Sequence, residues 1–538
     1  MSKKNIRSTA FMIMLSVLLS RILGFFRTAL IPIKMGGLSD VSDAYNAAFQ
    51  IPDLMYGLLV GGAIAASLIP ILSGFVEKEQ EKKGWSVVSS YINMMMIIMF
   101  AFTILGVVFA PQLMSLVASG FKNQDPSKME LTIRLTRILM PISFFMMLSG
   151  LCNGILNSYS KFAVAAFGPT FYNLACVLSI LFLSNDDAAS NYGVDKVVIG
   201  IVICSFLYFI LQFAFAAKYF KNYKPHIEVH DPDFTLMIKL AVPSLLTSAL
   251  MQLNMIVSKS YTTQFDSGSL SALELANRTW QMPLGIIAQA VGVAVLPGLS
   301  GLFANNKHGE YEKRLNTSLR LVLFLGIPSA FAFAVFSQSI VQLMFNFNNS
   351  LTYENVQLTG AILTFYSVAL IAQCVNTIMN RAYYSTKNSM IPFWGGSISI
   401  GINFLLAYLI TMYTSAGPKG IALAYSIATV INMTILISSF KKRIPGYKIS
   451  KNFPAVGKML VSSLIMALAV YLSDTYLMKL LFHGSMMDIS KMMQALWVIL
   501  TILIGVLIYV IISYLLRIEE CTDLVKSIKN KLKKIGNK

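Results

Sequence analysis

The sequence predicts an all-α, polytopic membrane protein of about fourteen transmembrane helices. Three observations carry that reading: apolar residues far outnumber charged ones, apolar runs long enough to cross a bilayer follow one another, and Lys and Arg gather in alternate gaps between them. Of 538 residues, 56% are hydrophobic and 12% charged. Soluble domains run near half apolar and a quarter charged, which excludes a water-soluble chain of this length. The longest polar stretches are short loops and the tail after Leu516, so no separate soluble domain is expected.

A helical span needs about 20 apolar residues. Windows of that kind fall near 9–33, 41–75, 88–112, 131–158, 163–184, 196–218, 235–262, 270–304, 317–344, 355–384, 389–412, 417–440, 455–475 and 493–516. Backbone groups in hydrocarbon have no water to bond, so each span is expected to be helical. A transmembrane β-barrel would alternate in strands of about ten residues. The run from Val498 to Leu516 does not alternate.

Basic residues choose the side. One set of gaps holds Lys3, Lys4 and Arg7; Lys78, Lys82 and Lys83; Lys161; Lys218, Lys221 and Lys224; Lys307, Lys313 and Arg314; Arg381 and Lys387; Lys441, Lys442 and Arg443; and the Lys-rich tail. The gaps between them are poor in Lys and Arg and include Asp186, Asp187 and the uncharged 347–350. The positive-inside rule then puts both termini in the cytoplasm. The net charge of +19 is read as this topology signal and not as a nucleic-acid footprint. The first apolar run is long, carries arginines and lacks a small-residue cleavage site, so it reads as a span and not a cleaved leader.

No catalytic set is legible. Cys152, Cys176, Cys204, Cys374 and Cys521 are scattered without metal-ligand spacing, and neither a disulfide framework nor a metal site is expected. No G-x-x-x-x-G-K-[ST] loop occurs, which excludes a nucleotide-driven pump of that type. The expectation is a transporter without a cofactor, driven by the membrane potential or an ion gradient, with an intramembrane enzyme as the other class.

The chain repeats itself. Asn46, Gln50 and Pro52 of the second span, closing on Pro70, Ser73 and Gly74, match Asn277, Gln281 and Pro283 of the eighth, closing on Pro297, Ser300 and Gly301. Asn153, Ile155 and Asn157 of the fourth span match Asn376, Ile378 and Asn380 of the tenth, each followed at equal distance by Pro169 or Pro392. The unit is six helices, an even number, so both copies run the same way through the membrane. Substrate commonly binds where such halves meet. The organisation read from this is an N-lobe over 1–225, a C-lobe over 226–444 and an added helix pair with a basic tail over 445–538.

Ionisable residues inside a span are costly and mark cavities or partners. Arg21 and Arg27 lie in the first span, about 120° apart around an ideal helix. They face a cavity or pair with backbone or Asp43. In the second span Asp43, Asn46, Gln50 and Asp53 recur at three or four residues and lead into Gly57 and Gly61. The eighth span repeats that face with Glu274, Asn277, Arg278, Gln281, Gly285, Gln289 and Gly292. Two matching polar stripes suggest walls of one hydrated cavity. Hydrogen bonding between close-packed helices is the other reading. It accounts for the glycines and amides but not for Arg278 and Asp43.

Several segments resemble the MurJ (MviN) family: "LSRILGFFR" at 19–27, "SDAYNAAFQIPD" at 42–53, "GGAIAASLIPILSGF" at 61–75, "ILNSYSKFAVAAFGPTFYN" at 155–173 and "ANRTWQMPLGIIAQAVGVAVLPGLS" at 276–300. The resemblance covers nearly the whole chain. It implies a lipid II flippase of bacterial peptidoglycan synthesis, in the multidrug/oligosaccharidyl-lipid/polysaccharide exporter superfamily. The implied fold has fourteen helices, two six-helix lobes around a cationic cavity, and a last helix pair bordering a groove for a lipid tail. The implied substrate is an undecaprenyl diphosphate carrying a disaccharide-pentapeptide, with membrane lipids and the cell-wall synthesis machinery as further partners. By motif, the family's cavity arginines fall on Arg21, Arg27 and Arg278, its second-span acid on Asp43, and the serine before the first arginine on Ser20. Asn46, Gln50, Asp53, Asn277 and Gln281 are expected to line the cavity further. Thr28, Gly61 and Asn277 replace acidic residues familiar in other members, which leaves the cavity more cationic, and Tyr56 replaces an arginine.

Elementary physics agrees with that implication. A diphosphate cannot enter hydrocarbon without losing its hydration. A planar guanidinium replaces that hydration with two parallel bonds. The rival substrates are other polyprenyl-diphosphate saccharides, of O-antigen or teichoic type; a drug/cation antiporter would be opposed by the arginines. The topology is checked by labelling single cysteines. Residues placed at Asn185 and Asn348 should react from outside and one at Lys441 from inside, and an internal Asn185 would overturn the assignment.

Overall fold

The computed structural model describes residues 3–58, 64, 67–184, 193–441, 444, 447, 449–478, 480, 486 and 489–526. Gly61 of the second span, the labelling position Asn185, Arg443 and the Lys-rich tail from 527 lie outside them. Among the described residues every regular element is helical. Twelve helices are long and apolar enough to cross a membrane, the first Glu81–Val108 and the last Lys491–Leu515. Their limits follow the apolar windows to within a few residues, except at the third and ninth, where the helices start earlier, at Glu81 and His308. Backbone bonding inside each helix is what permits that length in hydrocarbon.

The first two expected spans stand outside those twelve. Helix α1, Lys3–Lys34, is 32 residues long. The second is not one helix. It runs as α2, Asp40–Ala48, and α3, Gln50–Tyr56, and resumes as α4, Ile69–Glu77. Pro52 explains the first break, because it has no N–H to give the Ala48 carbonyl. At its start α2 is closed by a capping box in which Ser39 and Ser42 bond each other's backbone N–H.

The chain forms two compact units, residues 1–271 and 272–538. Unit one continues with α5, Glu81–Val108; two short helices, α6, Ala110–Val117, and α7, Ser119–Gln124; and then α8, Pro126–Ser158, α9, Phe162–Leu183, α10, Gly193–Ala216, and α11, Pro232–Thr262. Its core packs α1, α2, α8, α9 and α10 around Met35, Tyr45, Leu135, Leu139, Cys176 and Ile201. A second cluster joins α4, α5 and α8 through Leu68, Trp85, Tyr91 and Met147, and reaches Met237 of α11. The division after Ser271 leaves α11 in the first unit, one helix beyond the lobe limit expected at 225.

The connector between α10 and α11 is bonded to α5. A short 3₁₀ turn, Ala217–Asn222, leads into it. Asn93 Nδ2 donates to the Lys224 and His226 carbonyls at 3.2 and 2.9 Å. Lys224 N donates to Ser89 Oγ at 3.1 Å, and Glu228 N to Ser90 Oγ at 3.0 Å. Lys83 and Asp233 close it with an ion pair at 2.9 Å.

Unit two comprises most of α12, Ser269–Ala304, with α13, His308–Phe345, α14, Tyr353–Ser385, α15, Met390–Tyr413, α16, Pro418–Phe440, α17, Phe453–Leu472, and α18, Lys491–Leu515. The added pair, α17 and α18, packs against α13. Tyr509 Oη of α18 donates to the Phe324 carbonyl at 2.7 Å. Arg320 of α13 holds Glu519 and Glu520 of the segment after α18 at 2.6 and 2.8 Å.

The turn from α11 into α12 depends on Gly268. Its φ is +85°, and a Cβ there would lie 2.6 Å from the Leu38 carbonyl oxygen. Gly268→Ala should therefore cost more than the roughly 1–2 kcal/mol of a left-handed residue alone. Thermal unfolding of the purified protein in detergent is the check, and an unshifted midpoint would contradict the account.

Candidate functional site

Helix α1 is locked in rotation by a polar seam with α9. Ser16 Oγ donates to the Ala166 carbonyl at 2.6 Å, and Thr170 Oγ1 donates to the Ser16 carbonyl at 2.9 Å. One turn on, Asn173 Nδ2 donates to the Ser20 carbonyl and to Ser20 Oγ at 3.2 and 3.1 Å. The same Asn173 amide lies over Gly24. Thr28 turns its Oγ1 back to the Gly24 carbonyl at 3.1 Å. Ser20 thus works inside the seam, and the seam sets where Arg21 and Arg27 point.

Arg27 is half-buried, with its guanidinium carbon 5.3 Å from the Phe49 ring centroid and 5.6 Å from that of Tyr172. Tyr45 packs on Phe49 at 4.9 Å. Each ring face attracts a cation by about 0.5–2 kcal/mol. The rings hold the guanidinium plane, and the Tyr45 hydroxyl lies within bonding reach of it. Arg21 is exposed. Among the described residues, neither arginine has a carboxylate within 4 Å. A cation kept in a helix of this kind without a counter-ion is ready for an anion that arrives with a ligand.

Asp43 is placed differently. It is 1% exposed, and its carboxylate is engaged on every side. Lys128 Nζ of α8 lies 3.0 Å from Oδ2 and 2.8 Å from Asp40 Oδ1. Gly268 N donates to Oδ2 and Ser271 N to Oδ1, both at 2.8 Å. Asn46 Nδ2 donates to Ser271 Oγ at 3.0 Å, and Ser42 Oγ shares a bond with the same hydroxyl. Asp43 therefore caps the first turn of α12, where the helix dipole favours a negative charge. Farther along the stripe, Gln50 is buried, Asp53 is exposed, and Gly57 leaves the space that Gln252 of α11 fills.

On α12, Arg278 Nε pairs with Glu274 Oε1 one turn back at 3.0 Å. The arginine side chain is 52% exposed and the glutamate 8%, so the terminal nitrogens of Arg278 stay open. Asn277 Oδ1 accepts from Trp280 Nε1 at 3.0 Å and from Gln281 Nε2 at 2.8 Å. Trp280 is buried against Tyr366 and Tyr425. These bonds hold Asn277, Trp280 and Gln281 to one another, and Arg278 beside them is exposed.

The structure thus joins Ser20 to Asn173, Asp43 and Asn46 to Ser271, Asn277 to Gln281, and Arg278 to Glu274. Two residues with clear work here escaped the sequence reading. Lys128 lies just outside an expected span, where a lysine reads as reaching for water. Asn173 closes a segment quoted for its resemblance, but one asparagine gives no sign of its partner. Among the described residues no group of three or more His, Cys, Asp or Glu is placed to hold a metal.

Multiple apolar spans with arginines kept free in a packed helix define a polytopic membrane transporter. The family described as "Lipid II flippase MurJ" matches residues 34–495. The chain belongs to that family. It is 28% identical over 533 residues to a protein of Bdellovibrio bacteriovorus named "Probable lipid II flippase MurJ", covering 98% of this chain and 97% of that one. A protein of the same name from Treponema pallidum is 27% identical over 453 residues, covering 82% and 83%. A solved structure titled "Lipid II flippase MurJ, inward closed conformation" superposes with a TM-score of 0.77 at 27% identity, over 96% of this chain and all of that one. A multidrug resistance MATE family transporter of the MOP superfamily shares the fold, with a TM-score of 0.65 at 15% identity over 80% of this chain and 96% of that one.

The Asp43 cap makes a numerical expectation. Lys128→Met and Asp43→Asn should each destabilise the protein, and the double variant should cost less than their sum. The coupling expected for one shared network is about 0.5–3 kcal/mol. Strict additivity in a thermal-unfolding cycle would show that the two side chains do not act together.

Proposed function

We propose that this chain is a lipid II flippase, moving the undecaprenyl-diphosphate-linked peptidoglycan precursor from the inner to the outer leaflet of a bacterial plasma membrane. The observation that carries this is the near full-length likeness to proteins of that name, in a chain whose first helix carries Arg21 and Arg27 with no carboxylate within 4 Å among the described residues. The chemistry asked of the protein is transport and not bond-making. Arg27, steadied by Phe49 and Tyr172, offers a planar fork to two phosphate oxygens at once. Arg21 adds charge toward the solvent side of the same helix. Arg278 offers its terminal nitrogens from α12 while Glu274 holds its Nε.

The polyprenyl chain stays in lipid while the charged head travels, and alternating access carries the head across. Asp43 orders the start of α12 in this scheme and does not touch the substrate. The basic loops put both termini in the cytoplasm. The driving force is the membrane potential, worth about 2.3 kcal/mol per charge per 100 mV across the full field. The cell-wall synthesis machinery is the expected consumer on the outer face.

The test is binding and flipping of lipid II in proteoliposomes at matched protein abundance. Arg278→Ala should lower affinity about ten- to a hundredfold, the effect of losing charge-assisted bonds to an anion. Arg278→Lys should rescue in part, because a point charge lacks the fork. Glu274→Gln should keep binding, since the arginine remains. Normal flipping by the alanine variant would return Arg278 to a structural role.

A further inference from the structure

Arg381 lies at the end of the tenth expected span, 355–384, and counts with Lys387 among the basic markers of the cytoplasmic side. The structure puts it inside α14, before the helix ends at Ser385, and half-buried. Its side chain lies across Gly292 of α12. A Cβ at Gly292 would stand 3.5 Å from Arg381 Cγ and 3.6 Å from Nε, with Thr377 Cγ2 at 3.4 Å. Gly292 continues the polar stripe of α12, about 40° around the helix from Arg278 and about 21 Å along it toward the basic 304–308 end.

The counter-ions of the other arginines sharpen the contrast. Arg278 has Glu274, and Arg320 has Glu519 and Glu520. Among the described residues no carboxylate lies within 4 Å of Arg381. Arg314 also lacks one, but it is exposed and packs over Gly298, about 120° around α12 from Gly292. A half-buried guanidinium on the line of a transport stripe, with glycine opposite and no acid beside it, has room and charge for an anion.

We propose that Arg381 is a second diphosphate-binding residue of the 272–538 unit, meeting the lipid-linked diphosphate on the cytoplasmic stretch of the α12 stripe before Arg278 does. The assignment rests on the flippase reading for its ligand class. Gly292 is part of the site, because its bare backbone leaves the Arg381 fork uncovered. Arg381 binds and positions the head group and makes no bond to it.

The experiment uses the full-length protein in nanodiscs, with undecaprenyl diphosphate as probe and undecaprenol as the phosphate-free control. Arg381→Gln should weaken diphosphate binding about tenfold and leave undecaprenol unchanged. Arg381→Lys should fall between, and Gly292→Leu should reproduce the loss with the arginine still present. Arg314→Gln should bind like the wild type. Wild-type diphosphate affinity in Arg381→Gln, equal loss of both ligands, or an equal loss in Arg314→Gln would each overturn the assignment. Diphosphate binding by the wild type without any flipping of lipid II would count against the flippase reading alone, and the Arg381 comparison would still decide the site.

Discussion

Removing water from around a charge costs more than most single contacts return, and this constraint sorts the ionisable residues of the protein. Asp43 and Lys128 are buried, and each meets an opposite charge or several N–H donors. Such groups hold structure together, because loss of one partner strands the other. Arg21, Arg27 and Arg381 have no carboxylate at hand. Aromatic rings steady Arg27, and a bare glycine makes room for Arg381.

Two kinds of polar helix contact serve those ends. The α1–α9 seam uses short side chains, Ser16, Ser20, Thr170 and Asn173, which reach only when backbones lie close. It fixes the rotation of α1 while adding no charge to the membrane interior. The cap at the head of α12 uses a full charge, matched to a helix N-terminus and a lysine. Both are local, and both sit next to residues that sequence motifs single out as functional. Function in this fold depends on helices that cannot roll.

Much of the fold was legible because hydrocarbon permits so few backbone solutions. Long apolar windows gave the limits of the twelve continuous helices, and Asn277, Gln281 and Arg278 emerged from the spacing of polar residues on one face. The break of the second span was harder to see. Pro52 announces a missing bond at Ala48, yet α8 and α12 run through internal prolines without such a division, and α13 passes Pro328 to kink only at Phe336. Lys128 passed unremarked and Arg381 counted only as a mark of the cytoplasmic side for one reason: both stand near helix ends, where long side chains usually escape to water. Only the packing tells that Lys128 turns inward to two aspartates and that Arg381 lies along a neighbouring helix. Asp43, read from its place in a span as a cavity residue, has its bonds to Lys128 and to the N–H groups at the head of α12.

The connector after α10 has a practical meaning for anyone altering this chain. Loops between membrane helices ordinarily accept epitope tags, protease sites or whole inserted domains. Here the backbone of 224–228 is registered residue by residue onto Ser89, Ser90 and Asn93, as a strand is registered onto its neighbour. One added residue would put every later donor opposite the wrong acceptor. This stretch is better regarded as an outer layer of α5 than as a tether, and the places to splice lie elsewhere.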